Sequence, residues 1–288
     1  MSMPDDPSFL QRLLELSLEE DLDSAGDITT QAVFSQQTGG AKIVARERGV
    51  LSGTRVVQEV FHTVDPGLTL RILRNDSEAV EGGDCIIEVI GKISSILTAE
   101  RLALNFLGYL SGVATKTRHY QEILSAVGDT QILDTRKTIP GLRRLSKQAV
   151  RDGGGRNHRM GLYDMVMLKD NHIDAAGGIR RAVDAVRQVY GTKFLIEVEC
   201  RSLEDVQQAL DAGADWIMLD NMSPRDCEMA LSLRQDRGRV VPFEASGDMD
   251  EEKLRVFGSL GLDYISAGKL THSVQTMNFS LQFTGALD

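Results

Sequence analysis

The sequence predicts an α/β protein, an incomplete parallel barrel of about six strands preceded by an α+β domain. Three observations predict it. Six short apolar runs recur in the second half: QILD (131–134), MVMLK (165–169), FLIEVE (194–199), WIMLD (216–220), VVPFEA (240–245) and DYISAG (263–268). Helical stretches such as IRRAVDAVRQVY and LEDVQQALDAGA separate the later runs, and this alternation implies buried parallel strands. The runs also end on charged or small polar groups: Arg136 with Lys137, Lys169, Glu199, Asp220, Glu244 with Ser246, and Gly268. A barrel gathers all such ends in one mouth, whereas a doubly wound sheet gathers only those at its switch point. Six strands fit the residues available; eight do not.

From the start of the chain, Leu10, Leu13, Leu14 and Leu18 fall at helical spacing over residues 7–22, which predicts an opening amphipathic helix. AKIVARERGVLSG, LTLRILRND and CIIEVIGKI read as short strands between turns. The stretch from Ile96 to Leu124 lacks proline and is apolar on one face, so one or two helices are expected there. This α+β part extends to about residue 115. Within the barrel, Gly213, Ala214 and Asp215 form a helix-to-strand turn before WIMLD.

The composition is that of a globular chain, with 288 residues, 42% hydrophobic and 26% charged. Cys85, Cys200 and Cys227 are odd in number and unrelated in spacing, which suits a reducing cytoplasm. MSMPDDPSFL lacks the basic and apolar regions of a signal peptide, and no apolar run is long enough for a membrane span. The net charge of −10 argues against nucleic acid as a partner. Between Arg136 and Lys169, however, nine basic residues (136, 137, 143, 144, 147, 151, 156, 159, 169) face only Asp152 and Asp164, which reads as a local anion site.

Four groups of residues carry the chemistry. In DTRKTIPGLR (134–143), Arg136 offers a planar fork for a carboxylate or phosphate and Lys137 a compact charge. In GGGRNHRMGLYD (153–164), glycines that can bring amides to an anion precede His158 and Arg159; His158, and His172 after Lys169, read either as ligands or as structural histidines. Glu199 and Asp220, at neighbouring strand ends, suit metal binding, ribose hydroxyls or stabilisation of positive charge, with Mg²⁺ favoured over zinc. EASGD (244–248) and SAGKLTHS (266–273) place glycine and hydroxyl groups where late barrel loops bind phosphate. His62, His119, Trp216 and the cysteines read as structural.

Together DTRKTIPGLR, GGGRNHRMGLYD, MLKDNHI, IEVEC, IMLDN, EASGD and AERLALNFLGYLSG (99–112) resemble the quinolinate phosphoribosyltransferase family over nearly the whole chain. The resemblance implies an N-terminal α+β sandwich domain (1–115), rejoined by the C-terminal segment 274–288, and a barrel domain (116–273). It implies transfer of phosphoribosyl from phosphoribosyl pyrophosphate to quinolinate, with decarboxylation to nicotinate mononucleotide in NAD biosynthesis, Mg²⁺ carried largely by the pyrophosphate and no organic cofactor. By motif, Arg136, His158, Arg159 and Lys169 resemble the quinolinate-binding cations, with Lys137 near both substrates. Glu199 and Asp220 resemble the carboxylates that hold ribose and magnesium, so Lys137, Glu199 and Asp220 are the expected catalytic residues. Ser246, Gly247 and Gly268 resemble the 5′-phosphate site. Arg101 resembles an arginine donated across a dimer interface, which implies self-association with a shared site. Asp248, Met249, Ile139 and Lys269 depart from the usual pattern. The competing readings are a related phosphoribosyltransferase linked to molybdate transport and a non-catalytic anion-binding barrel.

Overall fold

The computed structural model describes residues 7–235 and 241–287. The opening of the chain, including most of MSMPDDPSFL, and Val240 of the fifth predicted barrel strand lie outside them. Contacts divide the chain into two units, Met1–Thr115 with Val274–Asp288, and Lys116–Ser273.

The first unit opens on α1 (Pro7–Leu22), which buries Leu14 and half-buries Leu10, Leu13 and Leu18. α2 (Ile28–Val33) starts where the Asp27 carboxylate accepts the Thr30 N–H at 2.9 Å, a side-chain cap for an otherwise orphaned donor. There follow β1 (Thr38–Ala45), β2 (Gly49–Val50), α3 (Thr54–Val64), β3 (Thr69–Ile72), β4 (Ala79–Val80) and β5 (Cys85–Lys92). The sequence reading missed α3, because its valines suit a strand as well; Val56, Val57, Val60 and Phe61 are buried at helical spacing. The stretch expected to hold one or two helices is a single 33-residue helix, α4 (Ile93–Ser125).

The second unit alternates strand and helix: β6 (Gln131–Leu133), α5 (Arg143–Asp152), β7 (Val166–Leu168), α6 (Asp170–Ala176), α7 (Ile179–Tyr190), β8 (Ile196–Cys200), α8 (Leu203–Ala212), β9 (Trp216–Asp220), α9 (Pro224–Gln235), β10 (Phe243–Ser246), α10 (Glu251–Gly258), β11 (Tyr264–Ser266) and α11 (Lys269–His272). Every pairing is parallel, in the order β6-β11-β10-β9-β8-β7. The first strand therefore pairs with the last, and the sequence of neighbours runs round a ring. Among the described residues β6 and β7, the two ends of that order, do not pair with each other. That gap is where the barrel is incomplete, and residue Arg156 bridges to Leu133 beside it. A core of apolar side chains, among them Ile132, Val198, Ile217, Phe243 and Ile265, fills the space between strands and helices.

β12 (Phe279–Leu287) returns to the first unit and pairs antiparallel with β1, completing a sheet in the order β12-β1-β5-β3. Among the described residues no helix is long and apolar enough to cross a membrane.

Candidate active site

Strand alternation sets which side chains enter the barrel, and the carboxyl ends of its strands gather most of the expected site residues. Lys169 follows β7, Glu199 is the fourth residue of β8, and Asp220 ends β9. Lys169 Nζ lies 2.7 Å from Glu199 Oε2, so a cation and a carboxylate from adjacent strand ends are already joined. Ser246 ends β10 in register with Asp220. Asp220 Oδ2 accepts the Asn221 side-chain amide at 3.0 Å. Asn221 itself holds a left-handed backbone (φ 54°), a conformation asparagine tolerates better than most residues.

The loops after β10 and β11 are tight. Gly247 has φ 152°, and a Cβ there would sit 2.9 Å from Asn221 Oδ1. A Cβ on Gly268 would meet Lys137 Cδ at 3.0 Å and His272 Nε2 at 3.1 Å. Lys137, Gly268 and His272 are thus packed together, and the Thr271 hydroxyl donates to the Lys137 carbonyl at 2.8 Å. His272 is a residue the sequence reading did not single out; its place four residues after Gly268 in SAGKLTHS was the available signal. A cavity of about 470 Å³ opens beside Asn221, Ser246, Gly247 and Asp248.

Arg136 and Arg159 are half-buried, and the Nε of each is buried without a hydrogen-bond partner. Arg159 donates to the Met165 carbonyl at 3.1 Å. Burial, then the neighbouring Arg136 guanidinium, pulls its pKa below the ordinary arginine value. Two guanidiniums held close together suit a ligand with more than one negative charge.

His158 is turned inward. Its Nε2 lies 2.9 Å from Glu197 and 3.5 Å from Glu244, and its Nδ1 accepts the Arg159 N–H at 2.7 Å. Burial pushes the ring toward neutrality while the two carboxylates draw it up to about 10. An imidazolium could not accept the Arg159 N–H, however, and that hydrogen bond places the single proton on Nε2. Glu197 is pushed up to about 7 by burial and by Glu244.

Several expectations need correcting. The glycines 153–155 do not offer their amides to an anion: those N–H groups bond the carbonyls of Ala149, Arg151 and Val150 and close α5. Gly155 is small because a Cβ would strike Thr117 Cγ2 at 2.6 Å. The basic run is partly fold chemistry. Lys147 is fully buried and bonded to Asp134, which also accepts the Asn157 amide (2.6 Å) and the His158 N–H (2.9 Å). Burial drives the Asp134 pKa up and the Lys147 pKa down, against their mutual attraction. Arg143 ties down Thr138 and the Met160 carbonyl, and Arg151 bonds Asn157. His172 caps α6 through Lys169 N. Glu244, read as a mouth residue, is the second residue of β10 and completely buried below the mouth. Trp216 keeps the structural part expected of it, stacked on Tyr264 at 4.6 Å. Arg101 is exposed on α4, in the first unit, and the site residues of the second unit do not include it.

A parallel barrel with clustered cations, paired strand-end carboxylates and glycine-bearing late loops defines an α/β-barrel enzyme built for anionic substrates. The C-terminal domain of quinolinate phosphoribosyl transferase matches residues 113–282, and the N-terminal domain of the same enzyme matches 27–111. A probable nicotinate-nucleotide pyrophosphorylase [carboxylating] of Bacillus subtilis (strain 168) is 41% identical over 277 residues, spanning 96% of this chain and 93% of its own. The crystal structure of NadC from Streptococcus pyogenes superposes with a TM-score of 0.92 at 40% identity, covering 99% of this chain and 100% of that one. The nicotinate-nucleotide pyrophosphorylase from Francisella tularensis gives 0.92 at 38% identity, with 98% of each chain covered. The chain belongs to the quinolinate phosphoribosyltransferase family.

Proposed function

We propose that the protein transfers the phosphoribosyl group of phosphoribosyl pyrophosphate to the ring nitrogen of quinolinate, releasing pyrophosphate and carbon dioxide and forming nicotinate mononucleotide for NAD synthesis. The observation that supports this reading is the Lys169–Glu199 pair beside Asp220 at the ends of β7, β8 and β9, together with the neighbouring guanidiniums of Arg136 and Arg159. Quinolinate is a dianion and its partner a polyanion, so several fixed cations are needed to bring them together. Arg136 and Arg159 take the substrate carboxylates; Lys169 exchanges its Glu199 partner for one of them. Lys137, beside Gly268, lies where both substrates meet. Ser246, Gly247 and Gly268 present hydroxyl and backbone groups to the 5′-phosphate.

As the bond to pyrophosphate breaks, positive charge grows at the anomeric carbon, and Glu199 and Asp220 stabilise it. Nitrogen attack forms a pyridinium, whose positive nitrogen stabilises the C2 carbanion left when the adjacent carboxylate departs as carbon dioxide, and C2 then takes up a proton from water. Lys169 takes Glu199 Oε2 and the Asn221 amide takes Asp220 Oδ2, and the second oxygen of each carboxylate suits one or two contacts to a Mg²⁺ ion held mainly by substrate phosphates. When bound, that ion would neutralise the departing pyrophosphate. We assign Arg101 to the mouth of a second copy of the chain, so that a homodimer is the active unit, and the cytoplasm as the compartment.

Purified protein given quinolinate, phosphoribosyl pyrophosphate and Mg²⁺ is expected to release carbon dioxide and nicotinate mononucleotide in equal amounts. Nicotinic acid, with one carboxylate, is expected to be a very poor substrate; comparable turnover of the two would sink the assignment. For the shared site, Arg101→Ala and Lys137→Ala proteins are each expected to be nearly inactive. Exchanging subunits between them concentrates both lesions in one mouth and restores the other. Verified exchange without recovery would remove Arg101 from the partner's site.

A further inference from the structure

Below the mouth the barrel holds a second layer of charge to which the proposed reaction gives no part. Glu197 and Glu244 stand two residues before Glu199 on β8 and Ser246 on β10, so alternation turns them to the same interior side, one step deeper. Both are fully buried, and neither their four carboxylate oxygens nor His158 Nε2 makes a well-aligned hydrogen bond among the described residues. Unsatisfied buried carboxylates are costly, and native structures keep them mostly where they serve a purpose.

The group they face is the His158 imidazole, with Nε2 at 2.9 Å from Glu197 and 3.5 Å from Glu244. The remaining sides of His158 are also occupied. Its Nδ1 accepts the Arg159 N–H, its own N–H donates to Asp134, and its carbonyl accepts from Lys147. The uncharged Trp216 ring stands 6.1 Å away on β9. With both nitrogens turned away from solvent and only 6% of its side chain exposed, this histidine is a strut rather than an open ligand.

We propose that Glu197 and Glu244 are positioning residues: they clamp the His158 ring, and the ring in turn fixes the main chain that carries Arg159 to the substrate. The proposal rests on the reading of Arg159 as a quinolinate ligand. It also gives His158 an indirect role in place of the direct contact that the family resemblance implies. Electrostatics makes it testable by sign. Negative charge under an anion site repels the anion, so charge alone predicts that removing a glutamate tightens quinolinate binding. Positioning predicts the reverse.

The experiment combines steady-state kinetics of Glu197→Gln and Glu244→Gln with ¹⁵N spectra of the His158 ring. Each variant is expected to raise the KM for quinolinate about tenfold or more, since small misplacements of a binding group are expensive. The KM for phosphoribosyl pyrophosphate and kcat should stay within about twofold. The parent protein should show a protonated Nε2 and an unprotonated Nδ1, and the variants should move the Nε2 signal. A lower KM for quinolinate, or equal rises for both substrates, would overturn the proposal. If neither variant folds, the parent spectrum decides: a doubly protonated ring, or a stoichiometric metal ion bound by the three side chains, overturns it. A parent protein that does not consume quinolinate sinks the reaction instead, and leaves the ring spectrum to judge the clamp.

Discussion

The two ends of the barrel use charge in opposite ways. At the amino-terminal end, Asp215 precedes β9 and Asp263 precedes β11. Asp215 accepts the N–H of Ile196 at 2.8 Å and pairs with Arg187 at 2.5 Å; Asp263 accepts the N–H of Phe243 at 2.8 Å and pairs with Arg234. Each arginine lies in the last turn of the helix leading into the strand whose first donor is being satisfied. The same knot is tied twice, and it closes a βα step each time. At the carboxyl-terminal end the Nε atoms of Arg136 and Arg159, and in the layer below it the oxygens of Glu197 and Glu244, have no such closure. Charge that holds the barrel together is answered within the protein, whereas charge placed for a ligand, or to aim a ligand's partner, is left incomplete. Asp134, just after β6, and Lys147, which reaches it from α5, are informative exceptions: they meet at the mouth end but are answered from every side, so they belong with the knots.

The largest effect should come from that exception. Asp134→Asn or Lys147→Met leaves a buried charge without its partner, and each is expected to cost about 3–5 kcal/mol of stability. Urea unfolding measures it, and the two losses should not add in the double variant. A loss below about 1 kcal/mol for either would mean that Asp134 and Lys147 do not behave as fold charge. Glu199→Gln and Asp220→Asn should do the opposite, lowering kcat about 10²–10³-fold while leaving the unfolding midpoint unmoved or raised. A variant that loses stability and keeps kcat would erase the distinction between the ends. The amino-terminal knots come next. Asp215→Asn and Asp263→Asn each weaken bonds to a buried strand donor and should cost about 1–3 kcal/mol, with kcat and both KM values unchanged.

How far the sequence could be read follows the same division. All six barrel strands were legible as apolar runs, because a strand buried on both faces has little room for polar residues. The mouth residues Glu199, Asp220 and Ser246 were legible because each breaks such a run at its end. Glu197 and Glu244 break the same runs from inside. Their positions two residues before recognised site residues were a usable signal, and Glu244 was noticed but placed one layer too high. Nothing local separates Lys147 from the cations around it; only the fold brings Asp134, thirteen residues earlier, against its ammonium. The three glycines misled for a related reason, since a helix end consumes the very amides that an anion loop would leave open. α3 was missed because β-branched residues at helical spacing support two periods at once.

The smallest expected effect tests whether an exposed pair at the mouth follows either rule. Asp248 and Lys269, both departures from the usual family pattern, face each other with Nζ 2.6 Å from Oδ1. Lys269 holds the Asp248 carboxyl below its usual pKa, and Asp248 holds the lysine above its own. The carboxylate is 77% exposed, so the pair should contribute little to folding, and no single or double variant should move the melting temperature by more than about 2 °C. Its location matters more than its strength. Asp248 follows Ser246–Gly247 and Lys269 follows Gly268, so the pair joins the two loops proposed for the 5′-phosphate and sets one negative against one positive charge beside it. Lys269→Ala leaves the aspartate uncompensated and should raise the KM for phosphoribosyl pyrophosphate about two- to fivefold; Asp248→Asn should leave it unchanged or lower. The double variant should return close to the parent, because the two charges cancel, and all of these differences should fade in ~1 M salt as screening shortens. Equal KM values for all four proteins at low salt would mean that the pair is ordinary loop chemistry, and that the phosphate site is set by the backbone and Ser246 alone.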